Sequence, residues 1–292
     1  MNARAVRPPR EIGGDAERCV DLHLHSTASD GTLPPEEVVR RVAAAGLVGL
    51  ALTDHDTVDG VAAAAAEAEV LGLRFLPAAE LSANEPGRSV HLLAFGLDTS
   101  DQELLGFLAA YRGDRVRRAR EMVGRLERLG VPLTYADVEA EAGQAAPTRA
   151  HVARALVRTG HVRTIAEVFR RLLSRGMPAF VEKSPTPPAE VIERVHAAGG
   201  VVLVAHPGRE HGEEELRRWT SEGLDGVELL HRENPPEVRR RLGALADELG
   251  WLRSGGSDWH GPHSHRAGIG SERVPESWLE EIAARCGSST GA

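Results

Sequence analysis

Seven short apolar runs punctuate this chain, and most of them end on a histidine or an acid. Val20, Leu22 and Leu24 alternate with Asp21, His23 and His25, and a turn carrying Asp30 and Gly31 follows. Run 50–53 leads into Asp54 and His55, and run 74–80 ends on Glu80. Run 201–205 leads into His206, and run 226–230 precedes His231. Run 251–254 leads to Gly256-Ser257-Asp258-Trp259-His260. Short apolar runs and period-two alternation mark strands. Helical patterns lie between most of them: Pro34-Pro35-Glu36-Glu37 opens one and Gly46 closes it. Strands alternating with helices build a parallel sheet, and in a parallel barrel the loops after the strands share one face. That arrangement gathers His25, His55, Glu80, His206, His231, Asp258 and His260 in one bowl. His91 begins its run, 91–96, and joins the bowl only if strands three and four form an antiparallel hairpin across loop 82–88.

The rhythm breaks between 98 and 188, where helical patterns stand with few strand candidates. Stretch 111–129 reads as one Arg/Glu-rich helix, and 150–158 and 165–175 read as others. The expected organisation is an arm over 1–17, a barrel over 18–97 and 189–285, a helical insertion over 98–188 and a tail over 286–292. The net charge of −8 argues against a DNA-coating role. It leaves room for a small phosphorylated substrate met locally by metals and arginines. Lys183 is the sole lysine, so nearly all positive charge is arginine. Cys19 and Cys286 form no CxxC pair. With no apolar leader and no apolar run of membrane length, the cytoplasm is the expected compartment and no membrane is expected as a partner.

Two imidazoles two residues apart on one strand face can bind one cation or adjacent ones. His-x-His, Asp-Gly, Thr-Asp-His-Asp, a strand-final Glu, Ala-His-Pro and Gly-Ser-Asp-x-His at equivalent strand ends make a far stronger pattern. Mixed imidazole and carboxylate donors suit manganese, iron or zinc better than magnesium. Asp21 and Asp56 are candidates for orienting imidazoles from behind.

On Asp21-Leu22-His23-Leu24-His25-Ser26, Thr53-Asp54-His55-Asp56-Thr57, Ala205-His206-Pro207-Gly208-Arg209 and Gly256-Ser257-Asp258-Trp259-His260-Gly261, the chain resembles the PHP (polymerase and histidinol phosphatase) family over about 19–270. It looks most like the stand-alone phosphoesterases of that family. The resemblance implies a distorted (β/α)7 barrel of the α/β class, with the helical segment inserted. It implies two to three divalent transition metals, manganese first, zinc or iron next. One would take His23, His25, Glu80 and Asp258. A second would share Glu80 and add His91 and His206. A third would take Asp30, His55 and His260. Glu80, Asp258 and His206 are then the catalytic candidates.

The implied reaction is removal of the 3′-phosphate from a nucleoside 3′,5′-bisphosphate by metal-activated hydroxide, with 5′-to-3′ exonuclease action on short RNA from the same site. The expected partner is therefore a phosphorylated nucleotide or short RNA end. Arg149, Arg209, Arg115 and Arg118 are the phosphate-contact candidates. Arg115 and Arg118 share a helix face, Arg117 lies on another, and Thr148 is placed to cap the helix that Arg149 opens. Competing readings are a histidinol phosphate phosphatase, a non-catalytic PHP module, and a metal-dependent amide hydrolase with a barrel lysine. The filled ligand positions disfavour the second. The place of Lys183, beside the insertion and away from a strand end, disfavours the third.

Overall fold

The computed structural model describes residues 18–85, 88–208, 211–262 and 268–286. The expected arm, Arg209 and positions 287–292 lie outside the described residues. β1 (Cys19–Asp21), β2 (Gly49–Leu52) and β3 (Arg74–Glu85) run parallel, with α1 (Pro35–Ala44) and α2 (Val61–Leu71) as crossovers. β4 (Arg88–Phe95) turns back antiparallel along β3, and β5 (Val201–Val204) is antiparallel to β4 in turn. β6 (Gly226–Leu230) and β7 (Leu252–Gly255) resume the parallel sense. The strand order is β7-β6-β5-β4-β3-β2-β1, with the two-residue β8 (Val274–Pro275) pairing against the start of β1. Backbone bonds then close the ring: Leu22 N to Gly255 O at 3.1 Å, Asp258 N to His23 O at 2.9 Å and His25 N to Trp259 O at 3.0 Å. The sheet is thus a nearly closed seven-strand barrel of the expected α/β class, distorted by its one reversed strand.

The barrel interior is apolar at one end and polar at the other. Val20, Leu22, Leu93, Phe95, Val201 and Leu203 fill the lower end, and Leu279 and Ile282 of α10 (Glu276–Cys286) close it. α7 (Pro188–Ala197), α8 (Glu213–Ser221) and α9 (Pro236–Leu249) pack outside the sheet. Reversal of β4 leaves the chain at the lower end after Phe95. α3 (Gln102–Arg128) starts there, capped by Asp101, whose side chain accepts from Leu104 N at 2.7 Å. Its 27 residues span about 40 Å at 1.5 Å each, enough to climb the barrel and stand over its upper rim. α4 (Tyr135–Ala142), α5 (Arg149–Arg158) and α6 (Ile165–Val168), the last running into a π-helical turn (Phe169–Leu173), complete the helical part. This part has its own core, including Met122, Leu126, Val138, Val152, Leu156 and Leu173. No described helix is long and apolar enough to cross a membrane.

Several elements differ from expectation. β1 stops at Asp21, because beyond it Leu24 bridges to Trp259 and the chain turns to close the ring. β3 continues past Glu80 to Glu85, since its hairpin with β4 extends both strands. Glu80 is therefore mid-strand. α8 has only Leu216 and Trp219 as buried anchors and α10 only Leu279 and Ile282, too sparse to read as periodicity. Cys286 is no part of a tail: it ends α10 and lies against the Phe95 carbonyl.

Candidate metal centre and its cationic wall

Glu80 is the hub of the upper rim. Its Oε2 lies 3.0 Å from His55 Nδ1 and 3.3 Å from the Nε2 atoms of both His23 and His25. Its Oε1 lies 2.8 Å from His91 Nδ1 and 3.0 Å from His206 Nε2. The register sets Ser82 opposite His91, so the antiparallel hairpin brings His91 to the Glu80 side, as the sequence requires. Asp258 Oδ1 approaches His25 Nε2 at 3.2 Å and His23 Nε2 at 3.6 Å. Asp30 Oδ1 approaches His260 Nε2 at 3.2 Å and His55 Nε2 at 3.9 Å. All nine residues expected as ligands therefore meet in one place. His231 joins them, its Nε2 3.7 Å from Asp258 Oδ2.

Local structure explains how these side chains are presented. Asp54 accepts from Ser26 N at 2.8 Å and from the Ser26 and Ser29 hydroxyls at 2.6 Å each, shaping the turn that carries Asp30. Gly256 must be glycine, because a Cβ there would stand 2.5 Å from His23 N. Asp56, His206 and Asp258 adopt positive φ of 53°, 26° and 51°. Such backbone costs of order 1–3 kcal/mol each and persists where surroundings over-determine it. Here His206 N donates to Glu228 Oε2 at 2.6 Å and Asp258 N donates to the His23 carbonyl.

Among the described residues, Asp21 and Asp56 make their hydrogen bonds to groups other than imidazoles. Asp21 accepts from the backbone N–H groups of His23, Ser257 and Gly270. Asp56 accepts from Ser82 N at 2.6 Å, from the Ser82 hydroxyl at 3.0 Å, and from Arg115. The orienting carboxylate is Glu228, which sequence reasoning missed. Its Oε1 is 2.8 Å from His23 Nδ1, turning His23 Nε2 towards Glu80. One acid inside the apolar run Gly226-Val227-Glu228-Leu229-Leu230 was the available signal.

The donor set fits cations. Burial pushes His25 and His91 down to about 4, so their lone pairs are available near neutral pH. Burial opposes the charged form of His23 too, but Glu228 and Glu80 outweigh it and push its pKa up to about 10. Among the described residues, His25 Nδ1 and Nε2, Asp30 Oδ1, His55 Nδ1, His91 Nδ1 and His231 Nε2 are buried with no partner in hydrogen-bonding geometry. Buried polar atoms are almost always paired. A cluster of orphaned nitrogen and carboxylate donors is what resident cations would satisfy. Groups compact enough to share one ion include His25/Asp30/His55/His260, His23/His25/Asp258 and His55/Glu80/His91.

Across a cavity of about 540 Å³, the helices supply a cationic wall. Arg115 is held by Asp56, with Nε to Oδ2 at 2.9 Å. Arg118 is buried and donates to the Val181 carbonyl from Nε and Nη2. Arg149 follows Thr148, which caps α5 by accepting from Ala150 N and His151 N. Its guanidinium sits 5.8 Å from the Phe169 ring centre and 5.5 Å from that of Phe180. Arg154 and Lys183 also line this cavity, and neither was singled out as a site residue. Arg154 Nη1 donates to the Asp30 carbonyl at 3.0 Å, tying α5 to the turn that carries Asp30. Arg117 points away, paired with Asp114 at 2.7 Å and Glu121 at 3.3 Å.

The model of the PHP domain matches residues 21–175. The chain belongs to the PHP family. It is 36% identical over 250 residues to a 5′-3′ exoribonuclease of Haemophilus influenzae, covering 83% of this chain and 90% of that one. It is 34% identical over 263 residues to a 3′,5′-nucleoside bisphosphate phosphatase of Chromobacterium violaceum, covering 88% of this chain and 92% of that one. A crystal structure from Bifidobacterium adolescentis, described as a metal-dependent phosphoesterase, superposes with a TM-score of 0.86 at 36% identity. The match covers 92% of this PHP chain and 96% of the other.

Proposed function

We propose that this chain is a metal-dependent phosphoesterase that removes the 3′-phosphate of nucleoside 3′,5′-bisphosphates. The observation that carries the reading is one cavity with two chemically opposite sides, an imidazole–carboxylate floor and an arginine wall. His23, His25, Glu80 and Asp258 would hold one cation, Glu80, His91 and His206 a second, and Asp30, His55 and His260 a third. The mixed donor set favours manganese, with zinc or iron next. When bound, the cations neutralise the phosphoryl oxygens and supply a nucleophile at neutral pH. Glu80 ties the imidazoles of separate strands into one array, and Glu228 fixes the ring of His23. Arg149 and Arg118 would take the non-reacting phosphate by charge-assisted hydrogen bonds. Phe169 and Phe180 hold the Arg149 guanidinium in place, so less freedom is lost on binding. Arg115, held by Asp56, adds positive potential more than a free fork.

A 5′-phosphorylated RNA end offers the same pair of groups, a terminal phosphate for the arginines and a 3′-phosphodiester for the floor. The exoribonuclease relative favours this second substrate for the same site. Two free cysteines, Cys19 and Cys286, fit a reducing cytoplasm. The test is a manganese-supplemented panel of adenosine 2′-, 3′- and 5′-monophosphates, adenosine 3′,5′-bisphosphate, histidinol phosphate and 5′-phosphorylated short RNA, with elemental analysis of the purified protein. The expected result is two to three metal equivalents, preference for the bisphosphate and RNA, and loss of turnover on chelation. Equal rates on histidinol phosphate, or full activity in excess chelator, reject the reading.

A further inference from the structure

Lys183 is the sole lysine among 35 lysines and arginines. A composition that writes almost every basic position as arginine keeps lysine at this one. In a buried site the two differ decisively, because a desolvated ammonium can release its proton near neutrality and a guanidinium cannot. Lys183 Nζ lies 3.0 Å from Ser82 Oγ and 2.9 Å from Ser89 Oγ. Ser82 donates its own proton to Asp56 Oδ2 at 3.0 Å, so it accepts from Lys183. Ser82 is the cross-strand partner of His91, and Ser89 is two residues before His91 on β4. Cross-strand partners and i, i+2 neighbours share a sheet face. Lys183 therefore covers the strand face that presents His91, and it lines the cavity with His55 and His91. Among the described residues, its hydrogen-bond partners are the two serines, which leaves a third N–H group for a substrate oxygen.

We propose that Lys183 is the proton donor to the leaving oxygen of the phosphate ester, a role that rests on the phosphoesterase reading above. As a water-derived hydroxide forms the new P–O bond, the P–O ester bond breaks and its electron pair stays on the ribose 3′-oxygen. An Nζ proton moves to that oxygen, and solvent then reprotonates the neutral amine. Facing charged groups are Asp56 after β2, Glu85 on β3, His91 on β4, Asp114, Arg115 and Arg118 on α3, Arg149 on α5 and Glu190 on α7. Burial pushes the Lys183 pKa down to about 7; Asp56 opposes this, and the three arginines add to it. A group titrating there is matched to acid catalysis at neutral pH.

The test compares leaving groups. Full-length wild type, Lys183→Met and Lys183→Arg, each checked for metal content and folded circular dichroism, are assayed on a nucleoside 3′,5′-bisphosphate and on 4-nitrophenyl phosphate. The first releases an alkoxide that needs a proton; the second releases a stabilised phenolate that does not. Lys183→Met should lose about 10²–10⁴-fold in kcat on the bisphosphate, the usual range for a general acid, and much less on the nitrophenyl ester. Lys183→Arg should keep KM for the bisphosphate and lose kcat. Equal losses on both esters, or full activity in Lys183→Arg, overturn the proposal. Wild type inert on both esters overturns the phosphoesterase reading beneath it. Because only one lysine exists, carbon-13 lysine labelling of the zinc-loaded protein gives one ε-methylene signal. Its titration midpoint should fall near 7, and a midpoint near the free value of about 10.4 also overturns the proposal.

Discussion

On the barrel floor, opposite groups meet: Glu228 with His23, Asp258 with His25, Asp30 with His260, and Glu80 with five imidazoles. On the helical wall, like charges crowd one another. Burial and then Arg149 push Arg118 down to about 10, and burial followed by Arg115 lowers Arg149. The floor holds buried donor atoms that cations can take up, and its strained backbone is locked by hydrogen bonds at Asp258 N and His206 N. The wall holds positive charge, and its direct ion pair is Asp56 with Arg115. One side is arranged to accept cations and the other to accept an anion, which is the electrostatic match for a substrate carrying two phosphates. Under the proposed reading the roles divide too, with metal chemistry at the strand ends, proton donation at Lys183 and phosphate selection at the helical arginines.

Glu80→Gln strikes the floor at its centre and should have the largest effect. It removes the charge that reaches His23, His25, His55, His91 and His206 together. Turnover should all but vanish on every substrate, and elemental analysis should show more than one metal equivalent lost. Asp258→Asn should strip mainly one. Wild-type metal content and rate in Glu80→Gln would reduce Glu80 to a polar residue of β3 and dissolve the floor as a unit.

Glu228→Ala comes next. It leaves His23 Nδ1 without its acceptor and His206 N without its partner. Loss of a carboxylate behind a metal-binding histidine typically costs 10–100-fold in metal affinity. The loss should appear on bisphosphate and simple ester alike, and excess manganese should restore part of the rate. A variant that loses only bisphosphate activity would place Glu228 with the wall.

The two sides were unequally legible in the sequence. His23 and His25, Asp54 and His55, and Asp258 and His260 announce themselves because each pair is local and sits where an apolar run ends. His91 needed one added assumption, the antiparallel hairpin, and the β3–β4 register supplies it. Glu228 was missed because its partner His23 lies 205 residues away in the chain. Lys183 was set aside because it follows the helices in sequence, although its segment folds back over β3 and β4. The helical phase of α3 separates Arg115 and Arg118 from Arg117, but which face turns inward depends on tertiary packing.

Arg149→Ala tests the wall. Its guanidinium lines the cavity beside two aromatic rings, and among the described residues it donates to the Leu173 carbonyl at 3.4 Å. Losing a hydrogen bond to a charged phosphate should cost about 1.5–3 kcal/mol, about ten- to hundred-fold in kcat/KM. The loss should fall on the bisphosphate and spare a plain phosphate ester. Equal loss on both, or none on either, would erase the distinction between the two sides.

Arg117→Ala should have the smallest effect, and it sharpens the comparison most cheaply. Arg117 and Arg118 are neighbours in sequence but stand about 100° apart around the helix. Arg118 is 5% exposed and lines the cavity, whereas the Arg117 side chain is 49% exposed and pairs with Asp114 and Glu121 within its own helix. Exposed i, i+3 and i, i+4 pairs are worth about 0.3–0.5 kcal/mol. Urea unfolding of Arg117→Ala should therefore shift by no more than about 1 kcal/mol for the two pairs together, and kcat/KM on the bisphosphate should stay within error of wild type. Arg118→Ala, by contrast, removes a buried charge and the tether to Val181, and should weaken bisphosphate binding. If Arg117→Ala loses bisphosphate activity while Arg118→Ala keeps it, the inward face of α3 is the other one. The second phosphate would then be held outside the cavity that joins wall and floor.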